Sequence, residues 1–161
     1  MNHVEHIRSK VLSLTKLQEQ LNVVREGKKV VFTNGCFDVI HRGHVSYLAQ
    51  ARDLGDLLVL GLNSDSSVRR LKGPTRPVND EESRALVLAS LECVDYVVLF
   101  EEDTPYQLIQ TVQPDILVKG GDYQLNEIVG YDIVKARGGE VLTLPFVDGF
   151  SSTSIINRLK Q

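Results

Sequence analysis

Apolar residues along this chain fall into short unbroken runs separated by stretches of helical spacing. Five runs are rich in valine, isoleucine and leucine and are five to seven residues long: 29–33, 56–62, 95–100, 115–119 and 140–144. Runs of that length predict strands buried on both faces. Between them the apolar positions recur every three or four residues. Leu17, Leu21 and Val24 define a helix over 16–25, capped by Thr15 and ended by Gly27. Val45, Leu48, Ala51 and Leu54 define another over 43–54, stopped by Gly55. A short helix is expected over 65–71, and Asn79 with Glu82 resembles a capping box that opens a helix to Leu91. Thr104 caps the next, with Pro105 at its first position. Helices over 129–137 and 152–159 complete the pattern, residues 1–10 read as a loose polar arm, and 73–79, with two prolines, reads as a loop. Strands alternating with helices predict an α/β fold, a five-stranded parallel sheet with helices on both faces. Ligands of such sheets bind at the carboxyl ends of the strands. The loops after residues 33, 62, 99, 119 and 144 are therefore where function is expected.

No internal repeat or linker-like stretch breaks the chain, and 161 residues suit one domain, here divided as an arm and helix over 1–28 and a main domain over 29–161. A hydrophobic content of 42% with 24% charged residues excludes disorder. Cys36 and Cys93 match no zinc or redox spacing, which excludes a disulfide scaffold and points to a reducing compartment. A net charge of -3 argues against a nucleic-acid partner held by charge. The first ten residues lack the apolar core of a signal peptide, and the longest apolar stretches, such as 57–62, are too short to cross a bilayer. A cytoplasmic protein with no membrane partner is expected.

The loop after the first strand reads Thr33-Asn34-Gly35-Cys36-Phe37-Asp38-Val39-Ile40-His41-Arg42-Gly43-His44 and runs into a helix. A helix start offers unpaired N–H groups and the positive end of a dipole, which suits a phosphate. Gly43 permits close backbone approach, and His41 and His44 sit together at that end. The loop is neither a Walker loop nor a dinucleotide GxGxxG. Cys36 is expected to be a small packed thiol rather than a nucleophile. Asp38 either organises the loop or holds magnesium.

Four further features carry chemistry. Residues 69–76 hold four basic side chains and no acidic one, a local positive patch. Arg84 shares a helical face with Leu88 and Leu91, so it either snorkels outward or reaches into a site. Lys119-Gly120-Gly121-Asp122 follows the fourth strand, where paired glycines allow close approach to a base or ribose and Asp122 can accept from hydroxyls. Ser151, Ser152, Thr153 and Ser154 precede the last helix and suffice as its N-cap.

The His41-x-Gly43-His44 pattern in this position resembles the nucleotidyltransferase superfamily. The resemblance runs from Lys29 to Lys160: TNGCFDVIHRGHVSYL at 33–48, NSD at 63–65, Arg76-Pro77, VKGGDY at 118–123, GGEV at 138–141 and DGFSST at 148–153 occur in order. Together they are most similar to the D-glycero-β-D-manno-heptose 1-phosphate adenylyltransferase family. The resemblance implies a Rossmann-like sheet of nucleotidyltransferase type, and transfer of AMP from ATP to a sugar 1-phosphate, giving ADP-heptose for the lipopolysaccharide core. It implies catalytic roles for His41, His44, Lys72 and Arg84. It assigns nucleotide binding to Thr33, Asn34, Gly35, Cys36, Phe37, Asp38, Gly43, Lys119, Gly121, Asp122, Ser151, Ser152 and Thr153. Asn63, Asp65 and Arg76 would bind the sugar phosphate, and Mg²⁺ would accompany ATP. In many bacteria this activity is half of a bifunctional protein with a sugar kinase; a chain of this length looks like the stand-alone form.

Two alternatives stay open. One is a glycerol-3-phosphate-type cytidylyltransferase, although those relatives carry an arginine just before the serine-rich segment, where Phe146, Val147 and Asp148 stand here. The other is a nucleotide-binding module without turnover. A homodimer is also expected. The helix over 80–91 is apolar nearly all round its wheel, which calls for a symmetric partner unless the N-terminal helix covers it.

Overall fold

The five apolar runs form one parallel sheet in a computed structural model that describes residues 1–161. The strands are β1 (Val30–Gly35), β2 (Leu57–Asn63), β3 (Tyr96–Phe100), β4 (Ile116–Gly120) and β5 (Glu140–Leu144). The helices are α1 (His3–Ser9), α2 (Leu14–Val24), α3 (Arg42–Asp53), α4 (Asp65–Lys72), α5 (Glu81–Ala89), α6 (Tyr106–Val112), α7 (Tyr131–Ala136) and α8 (Ser152–Leu159), with a 3-10 turn at Leu125–Glu127. The strand order is β3-β2-β1-β4-β5. β1 pairs with β2 from Val30 opposite Leu57 to Gly35 opposite Leu62, and with β4 at Val31–Ile116 and Phe32–Leu117. Side chains leave a strand on alternate faces, and both faces are covered. Val30, Phe32, Val59 and Leu117 enter one core with residues of α2, α6 and α7. Val31, Leu58, Leu60 and Val118 enter the other with residues of α3 and α5. The expected α/β architecture is the one the chain adopts.

Local departures concern caps and the N-terminal arm. Residues 1–10 are not loose. Asn2 and Glu5 form a capping box that opens α1, and the following residues pair with the sheet edge. Val11 bridges to Val97, Leu12 N–H donates to Val97 C=O at 2.9 Å, and Val97 N–H donates to Lys10 C=O at 2.9 Å. A seven-residue helix with no fully buried residue leaves little periodic signal. Ser13, not Thr15, caps α2, accepting from Lys16 N–H. Asp80, not Asn79, caps α5, accepting from Ser83 N–H at 2.7 Å; the Asn79 amide instead donates to Asp38 C=O. Thr104 caps nothing, because Pro105 occupies the N-cap of α6 without a side-chain bond.

The wheel argument for α5 needs correction too. Arg84, Ala85, Leu88 and Ala89 are buried, Val87 is 46% exposed, and α1 packs against this helix. The chain covers part of that surface itself. No helix is long and apolar enough to cross a membrane.

Candidate active site

The chain leaves β1 for β2 and β3 on one side of the sheet, then crosses back to β4 and β5 on the other. Where the order reverses, the loops diverge and open a crevice at the strand ends. A cavity of about 640 Å³ lies there. Every strand contributes to its wall: Asn34 and Gly35 from β1, Asn63 from β2, Asp103 after β3, Lys119 and Gly120 from β4, and Phe146 after β5.

The histidine pair is locked by the start of α3. His41 is the N-cap, and its Nδ1 accepts from Gly43 N–H at 3.1 Å. His44 Nδ1 accepts in turn from His41 N–H at 3.4 Å. With both Nδ1 atoms acting as acceptors, each neutral ring carries its proton on Nε2. The rings stack, with centroids 3.9 Å apart and planes 25° from parallel. The geometry therefore provides two adjacent N–H donors in the cavity wall. A Cβ on Gly43 would come within 2.9 Å of the His41 ring, so the bare backbone is required by the imidazole packed on it. Burial, then the His41 and Lys72 charges, pushes His44 down to about 4, and burial lowers His41. Both rings are thus neutral at pH 7.

Asp38 resolves in favour of loop organisation. It is 2% exposed. One oxygen accepts from Val78 and Asn79 N–H at 2.8 and 2.9 Å, and the other from Arg76 Nε at 2.7 Å and Val78 N–H at 2.9 Å. Burial alone would raise its pKa, but the Asn79 and Val78 amides and the Arg76 guanidinium outweigh that and hold it below the usual carboxylate range. Arg76 is thereby carried into the cavity wall beside Cys36, Phe37 and Asp38. Burial pushes the Cys36 thiol up, which fits a packed thiol.

Arg84 does not line the cavity. It is 1% exposed and donates four bonds to the protein: Nε to Asn79 C=O, Nη1 to Cys36 C=O and Asn63 C=O, and Nη2 to Asp65 Oδ1. Burying a guanidinium requires such partners. The side chain clamps the ends of β1 and β2 to the start of α4 in place of a phosphate-facing role, and Asp65 is held behind the wall with it.

Lys72, at the last residue of α4, and Lys119 both line the cavity; burial lowers the pKa of Lys119. So do Ser151, Ser152 and Thr153. Ser151 Oγ caps α8 by accepting from Ser154 N–H, while Ser152 Oγ donates to Val39 C=O at 2.8 Å and ties α8 to the histidine loop. Thr33 lies beneath the floor, sharing a 2.7 Å hydrogen bond with Tyr47 Oη. Gly121 and Asp122 fall outside the lining; Gly121, at φ +99°, donates its N–H to Leu144 C=O. Sequence patterning missed Tyr47, which burial pushes up to about 12, along with Thr104, Tyr123, Glu127 and Phe146. Tyr47 carried a signal as a hydroxyl in α3 next to Leu48, and Phe146 as an aromatic residue just before the serine-rich segment.

No group of three or more His, Cys, Asp or Glu side chains is arranged to hold a metal ion. Asp38 has both oxygens engaged by its own loop. The residues present do not fit a protein-held magnesium.

A parallel sheet with a histidine pair at its reversal point, both rings in the wall of a crevice of about 640 Å³, is the arrangement of a nucleotidyltransferase. The chain belongs to the cytidylyltransferase-like family, which it matches over residues 32–158. It is 57% identical over 159 residues to the bifunctional protein HldE of Syntrophotalea carbinolica, covering 98% of this chain and 32% of that protein. It is 62% identical over 133 residues to HldE of Citrifermentans bemidjiense, covering 83% and 27%. The chain thus spans about a third or less of the length of these curated relatives. Among solved structures, the lipopolysaccharide core biosynthesis protein from Thermoplasma volcanium superposes with a TM-score of 0.62 at 30% identity, over 75% of this chain and 98% of that one. Pantoate-beta-alanine ligase from Francisella tularensis, in complex with beta-gamma ATP and beta-alanine, shares the fold with a TM-score of 0.60 at 16% identity, over 93% and 76%.

Proposed function

We infer that this chain transfers AMP from ATP to D-glycero-β-D-manno-heptose 1-phosphate, a step that supplies ADP-heptose to the lipopolysaccharide core. The observation that carries this reading is the stacked histidine pair with both Nε2–H groups free to donate. A sugar phosphate oxygen is already ionised at neutral pH, so the reaction needs no general base. That oxygen forms a bond to the α-phosphorus, the bond to the β-phosphate oxygen breaks, and pyrophosphate leaves with the electron pair. The protein's task is alignment and neutralisation of charge spread over the α-phosphate. His41 and His44 donate to phosphate oxygens, Lys72 approaches the triphosphate, and Arg76, steadied by Asp38, meets the incoming sugar phosphate. The hydroxyls of Ser151 and Thr153 stand near the nucleotide's phosphates.

Magnesium belongs to this proposal as the companion of ATP, since no side-chain cluster suits it. Homodimerisation and a cytoplasmic location belong to it as well. The identities to HldE proteins and the likeness to the lipopolysaccharide core biosynthesis protein of Thermoplasma volcanium support the sugar assignment. Phe146, Val147 and Asp148, standing just before the serine-rich segment where the glycerol-3-phosphate cytidylyltransferases carry an arginine, support ATP over CTP.

The test is pyrophosphate release from ATP or CTP with a panel of sugar and polyol phosphates. ATP with heptose 1-phosphate should exceed CTP in kcat/KM by at least about tenfold, roughly 1.4 kcal/mol. Preference for CTP with glycerol 3-phosphate would support the cytidylyltransferase reading. Nucleotide binding without release from any pair would mark a module without turnover.

A further inference from the structure

Phe32, Phe37 and Phe100 are buried, and Phe150 is stacked under the Arg42 guanidinium at 4.2 Å. Phe146 is different. It lines the cavity and is 68% exposed. A phenyl ring left open to water in a ligand crevice is an unfilled contact surface.

Its seat is specific. The ring lies against the turn after β4, so that a Cβ on Gly120 would come within 2.7 Å of Cε1 and one on Gly121 within 2.8 Å of Cε2. Gly121 also has a left-handed φ, but Gly120 does not. At Gly120 a Cβ would meet the ring and displace it. The phenyl group rests on the paired glycines while most of it stays open.

Groups that suit phosphate, His41, His44 and Lys72, come from the β1–β2 side of the reversal point. The β4–β5 side adds Lys119 and the hydroxyls of Ser151, Ser152 and Thr153, and beside them the apolar side chains of Leu117, Ile128, Val129, Val147 and Phe146. Of these groups only the Phe146 ring offers a flat apolar face that stands open, so a ligand with an anionic end for the histidines and lysines can lay a flat ring against it.

We propose that Phe146 stacks on the nucleobase and sets a preference for a purine. This rests on the nucleotide-transfer reading above. A bicyclic purine covers more of a phenyl face than a pyrimidine does, and stacking makes no demand on the base's hydrogen-bonding edge. Phe146 is a specificity-determining residue in this arrangement and takes no part in bond making.

Calorimetric binding of ATP, CTP and inorganic tripolyphosphate to the wild-type chain, Phe146→Ala and Phe146→Tyr tests it. The side chain is exposed, so both variants keep the core intact. Phe146→Ala should weaken ATP by about tenfold or more, narrow the gap between ATP and CTP, and leave tripolyphosphate within about twofold. Phe146→Tyr should retain ATP binding. An ATP affinity unchanged in Phe146→Ala overturns the stacking role alone and leaves AMP transfer standing. Equal losses for ATP and tripolyphosphate also overturn it, because they mark a change in the phosphate end. A wild-type chain that binds tripolyphosphate but no nucleotide better overturns both readings.

Discussion

Arg84 Nη2 donates to Asp65 Oδ1 at 2.8 Å, and the arginine side chain is 1% exposed. The same guanidinium reaches two backbone carbonyls on neighbouring strand ends, Cys36 and Asn63. The ion pair therefore shapes the mouth of the cavity from behind.

Removing that clamp should cost stability before it costs binding. Arg84→Ala leaves a carboxylate and three carbonyls without their donor, and its unfolding free energy in urea should fall by about 3 kcal/mol. Arg84→Lys should recover only part, since a point charge cannot serve four acceptors in a planar fork. A lysine variant of wild-type stability with only a raised KM for ATP would return Arg84 to a phosphate-binding role.

Asp38 carries a comparable load for the loop over 76–79. Asp38→Ala strands the Val78 and Asn79 amides and frees Arg76, and should destabilise the protein by about 3 kcal/mol. Asp38→Asn keeps the shape but loses the charge and one acceptor, so it should be milder. The KM for the sugar phosphate should rise in both, because Arg76 loses its anchor.

His44 is expected to act mainly in the transition state. His44→Ala should lower kcat by about a hundredfold, roughly 2.7 kcal/mol, in a protein that still folds. Near-wild-type turnover in the purified variant would remove His44 from the mechanism.

The pH dependence of stability follows from the same ring. Folding holds His44 down to about 4, whereas an exposed histidine titrates near 6.5. Between these values the unfolded chain binds a proton that the folded chain does not. The contribution is full above about 6.5 and declines as pH falls toward 4. His41, also lowered by burial, acts in the same direction. Asp38, held below its ordinary 3.8, adds stability above that value and loses it only at lower pH, as its folded pKa is passed. Urea denaturation from pH 7 to 4 should show the decline, and His44→Ala should make it shallower.

The sheet was legible because each strand is a continuous apolar run, a pattern that burial on both faces requires. The histidine loop was legible for a related reason: a glycine and two histidines at a strand-to-helix junction have few structural uses together. Arg84 is out of place on an apolar face, but most of its partners, the Cys36 and Asn63 carbonyls and the Asp65 carboxylate, come from distant segments that no local pattern encodes. Phe146 and Tyr123 join the wall only through the order of the strands. The caps moved by one or two residues because Ser13 and Thr15, or Asn79 and Asp80, offer nearly equivalent acceptors, and the choice falls to tertiary contacts such as Asn79 with Asp38.

The pairing of residues 10–12 with Val97 bears on how copies of this chain can meet. An outer strand with free N–H and C=O groups invites another chain to extend the sheet, a route to both dimers and aggregates. Here Val97 already spends its outward N–H and C=O on Lys10 and Leu12, and Lys10 Nζ folds over to Val94 C=O at 2.9 Å. The arm works as a selvedge: it finishes the β3 border so that the sheet does not run on into a neighbour at that point. A second copy of this chain that met the β3 border would have to do so beyond that finished stretch.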